Sequence, residues 1–273
     1  MTQRGSDLAL AAEIAGNAGR IAMAAFGGAT ERWHKPDGSP VSAADMAVND
    51  YLKGVLAAAR PDDGWLSEET ADSDDRLTRR RVWVVDPIDG TRDFLLGRTG
   101  WAVSVALVED GAVVAGVLAA PAQKRFYAAS AGLGATLNGK RLAVSGRASL
   151  DGVRLPIDQA NMAAPFWPSP WPGTAVAKPN SLALRMAMLA AGEADAWMEG
   201  RSVAEWDVAA ASLILSEAGG TLTDRHGAAL AFNRPQPIIH GLAAATPALH
   251  GEVLARLDHA LRYFAARRRG AAA

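Results

Sequence analysis

Hydrophobic and polar positions in the first half of the chain predict two helices and then a sheet. Apolar residues recur at helical spacing over residues 7–26, where two glycines follow, and over residues 43–60, where Pro61 follows. The next apolar runs are short, rich in β-branched and aromatic residues, and partly separated by hairpin signals, which is typical of antiparallel strands. The predicted strands are residues 65–67, 82–85, 101–108, 113–118 and 121–127.

The second half has a weaker pattern, in which helices and short strands alternate. Residues 151–180 include a stretch rich in proline and tryptophan, which predicts an irregular loop. The later predicted elements are helices at 182–191, 208–218 and 247–266 and strands at 194–198, 221–223 and 238–239. We therefore predict an N-terminal α+β domain of residues 1–146 and a C-terminal α/β domain of residues 147–273.

Composition and charge narrow the class of protein. The net charge of the 273 residues is −1, so no overall field attracts nucleic acid or an anionic membrane. Cysteine is absent, which excludes disulfides, thiolate nucleophiles and Cys-based zinc sites. The sequence shows neither a long apolar run nor the pattern of a signal peptide. We expect a cytoplasmic protein whose partners include no nucleic-acid polymer and no membrane.

The candidate chemistry begins in an acidic turn, residues 86–91, directly after the strand at 82–85. Pro87 has no amide hydrogen, so regular strand pairing is expected to end there. Asp86 and Asp89 bring two carboxylates together, and a divalent cation would relieve their repulsion. A short helix is predicted next, and its free amides favour an anion such as phosphate. These amides belong to Gly90, Thr91 and Arg92.

Three further acids are candidates for the same site. Asp45 stands three residues after Ser42 in the pattern of a capping box, but it could also face the acidic turn and orient a water. Glu68 follows a predicted strand that would lie beside Asp86. Asp207 begins a predicted helix, where capping is its alternative role. Each acid has a local explanation, so the functional interpretation depends on their combination.

Three motifs in this order resemble the inositol monophosphatase family. They are WLSEET at residues 65–70, WVVDPIDGTRDF at 83–94, and EWDVAAA at 205–211 with EAGG at 217–220. The family groups with fructose bisphosphatases and bisphosphate nucleotidases as magnesium-dependent, lithium-inhibited phosphatases. The resemblance implies a five-layer α-β-α-β-α fold of the α+β or α/β class, a homodimer, and hydrolysis of a small phosphate ester.

The resemblance also implies roles for individual residues. Two or three Mg²⁺ ions would clamp the phosphate and activate a water for direct in-line attack, without a phospho-enzyme. The implied metal ligands are Glu68, Asp86, Asp89, Asp207 and the carbonyl of Ile88. The implied catalytic residues are Asp45, Glu68 and Thr91. The implied substrate-binding residues are Ile88, Asp89, Gly90, Thr91, Arg92, Lys178, Ser181 and Asp207.

Two departures from the inositol phosphatase pattern bear on the substrate. Residues 89–94 (DGTRDF) are closer to the 3′-phosphoadenosine-5′-phosphate phosphatase branch than to the Thr-Asn-Phe continuation of inositol phosphatases. Residues 178–181 (KPNS) stand where inositol phosphatases have a Gly-Thr or Gly-Ser pair. Lys178, Arg92 or Arg185 could bind a second phosphate. We therefore expect a 3′(2′),5′-bisphosphate nucleotide as substrate, with inositol 1-phosphate and histidinol phosphate as alternatives.

Two other classes of protein are weighed against this interpretation. A haloacid-dehalogenase-type phosphatase carries a nucleophilic Asp in D-x-D-G-T, whereas the spacing here is D-x-x-D-G-T. A catalytically silent binding module on the same scaffold would have no reason to keep the whole set of site residues. That set comprises Asp45, Glu68, Asp86, Asp89, Thr91 and Asp207.

Overall fold

The structure is a computed structural model that describes residues 3–28, 30–36 and 38–270, and within them the chain forms six α-helices and fourteen strands. The helices are α1 (Gln3–Ala25), α2 (Ala43–Ala59), α3 (Thr91–Leu95), α4 (Leu182–Ala190), α5 (Glu205–Glu217) and α6 (His250–Gly270). The first nine strands are β1 (Arg32–His34), β2 (Pro40–Ser42), β3 (Gly64–Ser67), β4 (Arg81–Asp89), β5 (Ala102–Glu109), β6 (Ala112–Ala120), β7 (Arg125–Ser130), β8 (Gly134–Leu137) and β9 (Lys140–Arg141). The others are β10 (Val153–Leu155), β11 (Gly173–Ala175), β12 (Ala196–Ala204), β13 (Thr221–Asp224) and β14 (Ile238–Ala245).

Two large sheets form the framework. The first has seven strands in the order β3-β4-β5-β6-β7-β8-β9; β3 pairs with β4 in parallel and the other neighbours are antiparallel. The second has the order β12-β14-β13 and is antiparallel. Two small pairs, β1-β2 and β10-β11, complete the described strands. The sheet predicted from alternation and hairpin signals is thus present, with one parallel edge.

Helices and sheets alternate in five stacked layers. In β4, Trp83 and Val85 pack against α1 and α2, whereas Val82 and Val84 face the core that contains α4 and α5. The second sheet lies on the other side of α4 and α5, and its far face packs against α6. Because β4 is buried on both faces, it is apolar at successive positions. The predicted α-β-α-β-α order is confirmed.

Regular strand pairing is interrupted at Pro87, as predicted, but the strand does not end there. Strand β4 continues to Asp89: Asp86 is opposite Ser104 and Asp89 is opposite Ala102, with a shift in register between them. A bulge places Pro87 where its missing amide hydrogen is not needed for the ladder. The bulge therefore brings both aspartates to the same end of the sheet.

Residues 72–81 mix basic and acidic side chains without periodicity, a pattern that predicts a solvated loop, but this prediction is wrong in part. Residues Asp74–Thr78 form a 3₁₀ helix, and Arg76 is buried. Its guanidinium donates to both carboxylate oxygens of Asp72, to Asn233 Oδ1 and to the carbonyl of Arg234. A fully hydrogen-bonded guanidinium can be buried, and its partners 157 and 158 residues away are not visible in the local pattern.

The predicted boundary after residue 146 falls between β9 and β10. Helices α4 and α5 from the second half share one core with strands of the first half, so the two-domain division stays a prediction. In the described part of the chain, none of the helices has the length and apolarity needed to cross a membrane.

Candidate active site

One cleft of about 260 Å³ collects most of the predicted site residues. It lies where the end of β4 and the start of α3 meet the start of α5 and the residues just before α4. The predicted residues that line it are Glu68, Asp86, Ile88, Asp89, Gly90, Thr91, Arg92 and Asp207. The other lining residues are Ser39, Pro40, Asn180, Leu182, Arg185 and Arg201.

The junction of β4 and α3 is held by its own polar groups. The amide of Ile88 donates to Asp86 Oδ1 at 3.0 Å, and Thr91 Oγ1 donates to the carbonyl of Ile88 at 3.0 Å. Gly90 has φ 95°, and a Cβ there would lie 2.7 Å from the carbonyl oxygen of Gly100. Only glycine fits this turn without strain. The fixed turn keeps the first amides of α3 beside the carboxylates.

Asp45 fulfils its capping role and also reaches the acidic turn. Its Oδ2 accepts hydrogen bonds from the amide and hydroxyl of Ser42, at 2.8 and 2.6 Å. Thr91 Oγ1 lies 3.3 Å from Asp45 Oδ1 and can donate to it instead of to the carbonyl of Ile88. Burial raises the pKa of Asp45 to about 6, with a further contribution from the charge of Glu68, although the hydrogen bonds lower it. The two roles weighed from the sequence therefore coexist.

Asp89 connects the acidic turn to the second half of the chain. Its Oδ2 accepts hydrogen bonds from Ser181 Oγ at 2.5 Å and from the amide of Ala183 at 2.8 Å, and the amide of Leu182 lies 3.2 Å from Oδ1. Burial raises its pKa to about 6 in spite of these hydrogen bonds. Ser181 is outside the cleft lining; it caps α4 by accepting from the amide of Leu184.

Asp86 and Asp207 are the most perturbed acids of the cleft. Burial raises the pKa of Asp86 well above its usual value, and the charges of Glu68, Asp89 and Asp207 raise it further. Burial likewise raises the pKa of Asp207, followed by the charges of Asp89 and Glu68. These carboxylates lie within one another's field, and a bound cation would reverse that unfavourable field.

The donor chemistry fits a hard divalent cation, but the side chains do not form a closed cage. Within the described residues, no three acidic, histidine or cysteine side chains are arranged to hold one metal ion. Several carboxylates are instead occupied by protein groups: Glu68 accepts from Lys35 at 2.8 Å, and Asp207 accepts from the amide of Ala204 at 2.9 Å. Carboxylates from three elements around one cleft are nevertheless the oxygen ligands that Mg²⁺ prefers.

Cationic side chains line the cleft beside the acids. The Arg185 guanidinium is buried and donates to the carbonyls of Pro179 and Asn180, at 2.8 and 3.2 Å. Arg201 forms a two-pronged contact with Glu199. The sequence pattern did not indicate Arg201, because it lies at an irregularity between Glu199 and Ser202 in β12. Lys35, which contacts Glu68, was also missed by the sequence analysis. Its position in the loop before the helix that carries Asp45 was the signal that could have identified it.

Lys178, like Ser181, is a predicted substrate-binding residue that does not line the cleft. Its Nζ lies 2.5 Å from Asp158 Oδ2, in a separate depression that also contains Arg98 and Arg125. The ion pair is partly exposed, as expected for a solvated surface contact. The role predicted for Lys178 gains no support from this position.

Comparison with known proteins decides the family. The inositol monophosphatase family model matches residues 6–262. The chain belongs to this family. Its members are metal-dependent enzymes that hydrolyse phosphomonoesters, so the predicted family and enzyme class are confirmed and the haloacid-dehalogenase alternative is wrong. The roles of individual residues stay predictions.

Three similar proteins match this chain over most of its length. A Streptomyces griseus protein named glucose-1-phosphate thymidylyltransferase is 38% identical over 240 residues, which are 83% of this chain and 89% of that protein. A histidinol-phosphatase of Mycobacterium tuberculosis is 36% identical over 263 residues, 92% of this chain and 98% of that protein. A solved IMPase from Thermotoga maritima has a TM-score of 0.82 at 26% identity and covers 94% of this chain and 99% of its own.

Proposed function

We propose that this protein is a magnesium-dependent phosphomonoesterase in which water attacks the phosphate of a small metabolite directly. One observation carries the proposal: Glu68, Asp86, Asp89 and Asp207 line a single cleft in which burial raises the pKa of the three aspartates, and repulsion from neighbouring carboxylates raises that of Asp86 and Asp207 further. Acids in such a field gain most from a divalent cation. The start of α3 lies in the same cleft and suits the anionic part of a substrate.

Each residue has a defined part in this mechanism. Glu68, Asp86, Asp89, Asp207 and the carbonyl of Ile88 would hold the metal. Bound Mg²⁺ supplies charge neutralisation and a water of lowered pKa. The Thr91 hydroxyl, which donates to the carbonyl of Ile88 or to Asp45 Oδ1, would accept a hydrogen bond from the attacking water and orient it. Asp45 Oδ1 would take the proton of this water as the bond from phosphorus to the leaving oxygen breaks, and the leaving oxygen would take a proton from solvent and depart as the alcohol. The amides of Gly90 and Thr91 donate to the phosphate oxygens.

The proposed substrate is a 3′(2′),5′-bisphosphate nucleotide such as 3′-phosphoadenosine 5′-phosphate. Three guanidinium groups, from Arg92, Arg185 and Arg201, line the cleft together with the carboxylates. Guanidinium groups match the geometry of phosphate oxygens, and a bisphosphate has a second phosphate that needs such partners. Histidinol phosphate is the second candidate, because the histidinol-phosphatase relative matches 92% of this chain.

A substrate panel tests these alternatives. We expect kcat/KM with Mg²⁺ to be highest for 3′-phosphoadenosine 5′-phosphate among that compound, histidinol phosphate, inositol 1-phosphate and fructose 1,6-bisphosphate. Arg201→Gln should lower kcat/KM for the bisphosphate about ten- to hundredfold, since a hydrogen bond to a charged group contributes about 1.5–3 kcal/mol. Adenosine 3′-phosphate, which lacks the second phosphate, should be affected much less.

Two further results decide the outcome of the panel. Arg262→Gln is the matched control, because this arginine is 79% exposed on α6 and outside the cleft. Preference for histidinol phosphate, with no effect of Arg201→Gln, would replace the nucleotide by the second candidate. A phosphorylated enzyme trapped by rapid quench would contradict direct attack by water. No turnover of any ester by the folded protein would favour a silent binding module.

We also propose the remaining properties that the family resemblance implies. Li⁺ should inhibit the Mg²⁺-dependent activity, which a titration with lithium chloride tests. The protein should be a cytoplasmic homodimer. Light scattering of the purified protein tests the dimeric state. The site would lie between the two predicted domains, because Asp207 comes from the second half of the chain.

A further inference from the structure

Asn180 is part of the wall of the cleft, and the 179–181 segment that carries it is fixed mainly through its backbone. Its first two carbonyl oxygens accept hydrogen bonds from Arg185, at 2.8 and 3.2 Å. The amide of Ser181 donates to the carbonyl of Gly100 at 3.0 Å. Asn180, the middle residue, lines the cleft. The position of Asn180 in the wall therefore depends on what holds its own amide.

Asp93 supplies that contact from the other half of the chain. The amide of Asn180 donates to Asp93 Oδ2 at 3.0 Å. The Asp93 side chain is 13% exposed, and Asp93 belongs to α3, the short helix whose residues Thr91 and Arg92 line the cleft. A carboxylate acceptor makes the bond charge-assisted and therefore stronger than a neutral one.

Two glycines allow this close approach. A Cβ on Gly100 would overlap Asp93 Oδ2 and would lie 3.0 Å from the Cα of Pro179. A Cβ on Gly90 would lie 2.9 Å from the amide nitrogen of Ser181. The backbone on both sides of α3, at Gly90 and Gly100, therefore lies directly against the 179–181 segment, and the Asp93 carboxylate fits between them.

We propose that Asp93 is a positioning residue for substrate recognition. It holds the amide of Asn180, so that Asn180 meets the part of the substrate beyond the phosphate. Its neighbour Arg92 lines the cleft itself. In the Arg-Asp pair of the sequence motif, Arg92 would therefore contact the substrate, and Asp93 would position Asn180. The inference rests on the phosphatase activity of the proposed function but not on the choice of phosphate ester.

The test compares substrate recognition with phosphate recognition. In Asp93→Ala, we expect KM for the best ester of the wild-type protein to rise about tenfold, the effect of losing one hydrogen bond to a charged group. We expect kcat and the inhibition constant of inorganic phosphate to stay near wild type, because phosphate alone does not reach the wall. Asp93→Asn keeps an acceptor oxygen, so its KM should return most of the way to the wild-type value. Asp158→Ala, which removes the exposed ion pair with Lys178, is the matched control.

Each outcome supports or overturns the role of Asp93. An unchanged KM in folded Asp93→Ala overturns it, and so does an equal rise in the inhibition constant of inorganic phosphate. If the alanine variant does not fold, Asp93→Asn decides, because its neutral acceptor makes a weaker hydrogen bond than the carboxylate. A KM raised about two- to threefold with an unchanged inhibition constant of phosphate then supports the role, and a KM that is unchanged or that rises only together with this constant overturns it. If the wild-type protein hydrolyses no ester, the proposed function fails separately. Calorimetric binding of an ester and of inorganic phosphate to Asp93→Asn then replaces the kinetics, with the same criteria.

Discussion

The buried acids of the cleft make the stability of the metal-free protein fall as pH rises. The pKa values of Asp45 and Asp89 are about 6, compared with 3.8 for an ordinary aspartate. The unfolded chain therefore releases these protons at a lower pH than the folded protein. The stability that these two carboxyls contribute is fully present below their unfolded pKa and is lost between about pH 4 and pH 6.

The size of the effect follows from the two pKa values. One pKa unit corresponds to about 1.4 kcal/mol, so ionisation of either carboxyl in the folded protein costs about 3 kcal/mol. About 2 kcal/mol of this cost per carboxyl falls between pH 4.5 and pH 7. For a chain of this size, 1 kcal/mol changes Tm by about 2–4 °C, so we expect the two carboxyls together to lower Tm without metal by about 8–16 °C over that range. His250, whose pKa burial lowers, opposes this trend. The variant Asp45→Asn therefore isolates the contribution of one cleft carboxyl.

Thermal unfolding followed by circular dichroism, with EDTA or with saturating Mg²⁺, is the appropriate assay. We expect Mg²⁺ to raise Tm at pH 7, where the carboxylates are charged, and to have little effect at pH 4.5. Asp45→Asn should raise Tm in EDTA at pH 7 and flatten its pH dependence. A Tm in EDTA that is constant or increases with pH, together with no effect of Mg²⁺ at pH 7, would refute the reasoning.

Three shorter predictions concern other parts of the molecule. Arg76→Ala removes a buried guanidinium and should lower the free energy of unfolding in urea by about 3 kcal/mol; a loss below about 1 kcal/mol contradicts its structural role. The buried carboxylate of Asp195, hydrogen-bonded by arginines, has a pKa of about 2, so Asp195→Asn should cost about 2 kcal/mol at pH 7. Acid titration should show this difference vanishing as pH falls from 3.8 toward 2. Gly90→Ala should lower kcat/KM at least tenfold, whereas Gly97→Ala, also at positive φ but with open space around it, should change only stability.

The elements that the sequence predicts well are those whose burial is visible locally. Residues 82–85 and 101–108 are apolar at successive positions because both faces of β4 and β5 are covered, and the structure places them in the sheet. The helix α2 begins after Ser42, where the capping pattern predicts its start. In these cases the physical cause, burial or a cap, lies within a few residues of the element.

The features that the sequence did not predict depend on distant partners. The bulge at Pro87 is determined by pairing with β5, and Arg76 is buried because Asn233 and Arg234 meet it from the second half. The position of Arg201 follows from an irregularity in β12. Local periodicity carries no information about such long-range contacts. Composition and spacing therefore could not distinguish these residues from ordinary turn or surface residues.

The acids around the cleft show that a helix-capping role and a functional role do not exclude each other. Asp45 stands in the first turn of α2, Asp207 in the first turn of α5, and Asp89 accepts amides at the start of α4. A helix start stabilises a carboxylate by its free amides and its dipole, so each acid is placed by its helix whether or not a cation is present. Because three helices begin at the same cleft, capping each of them brings the carboxylates within one another's field. The local rule that explains each acid by itself is thus also the means by which the chain gathers negative charge for a metal-dependent reaction.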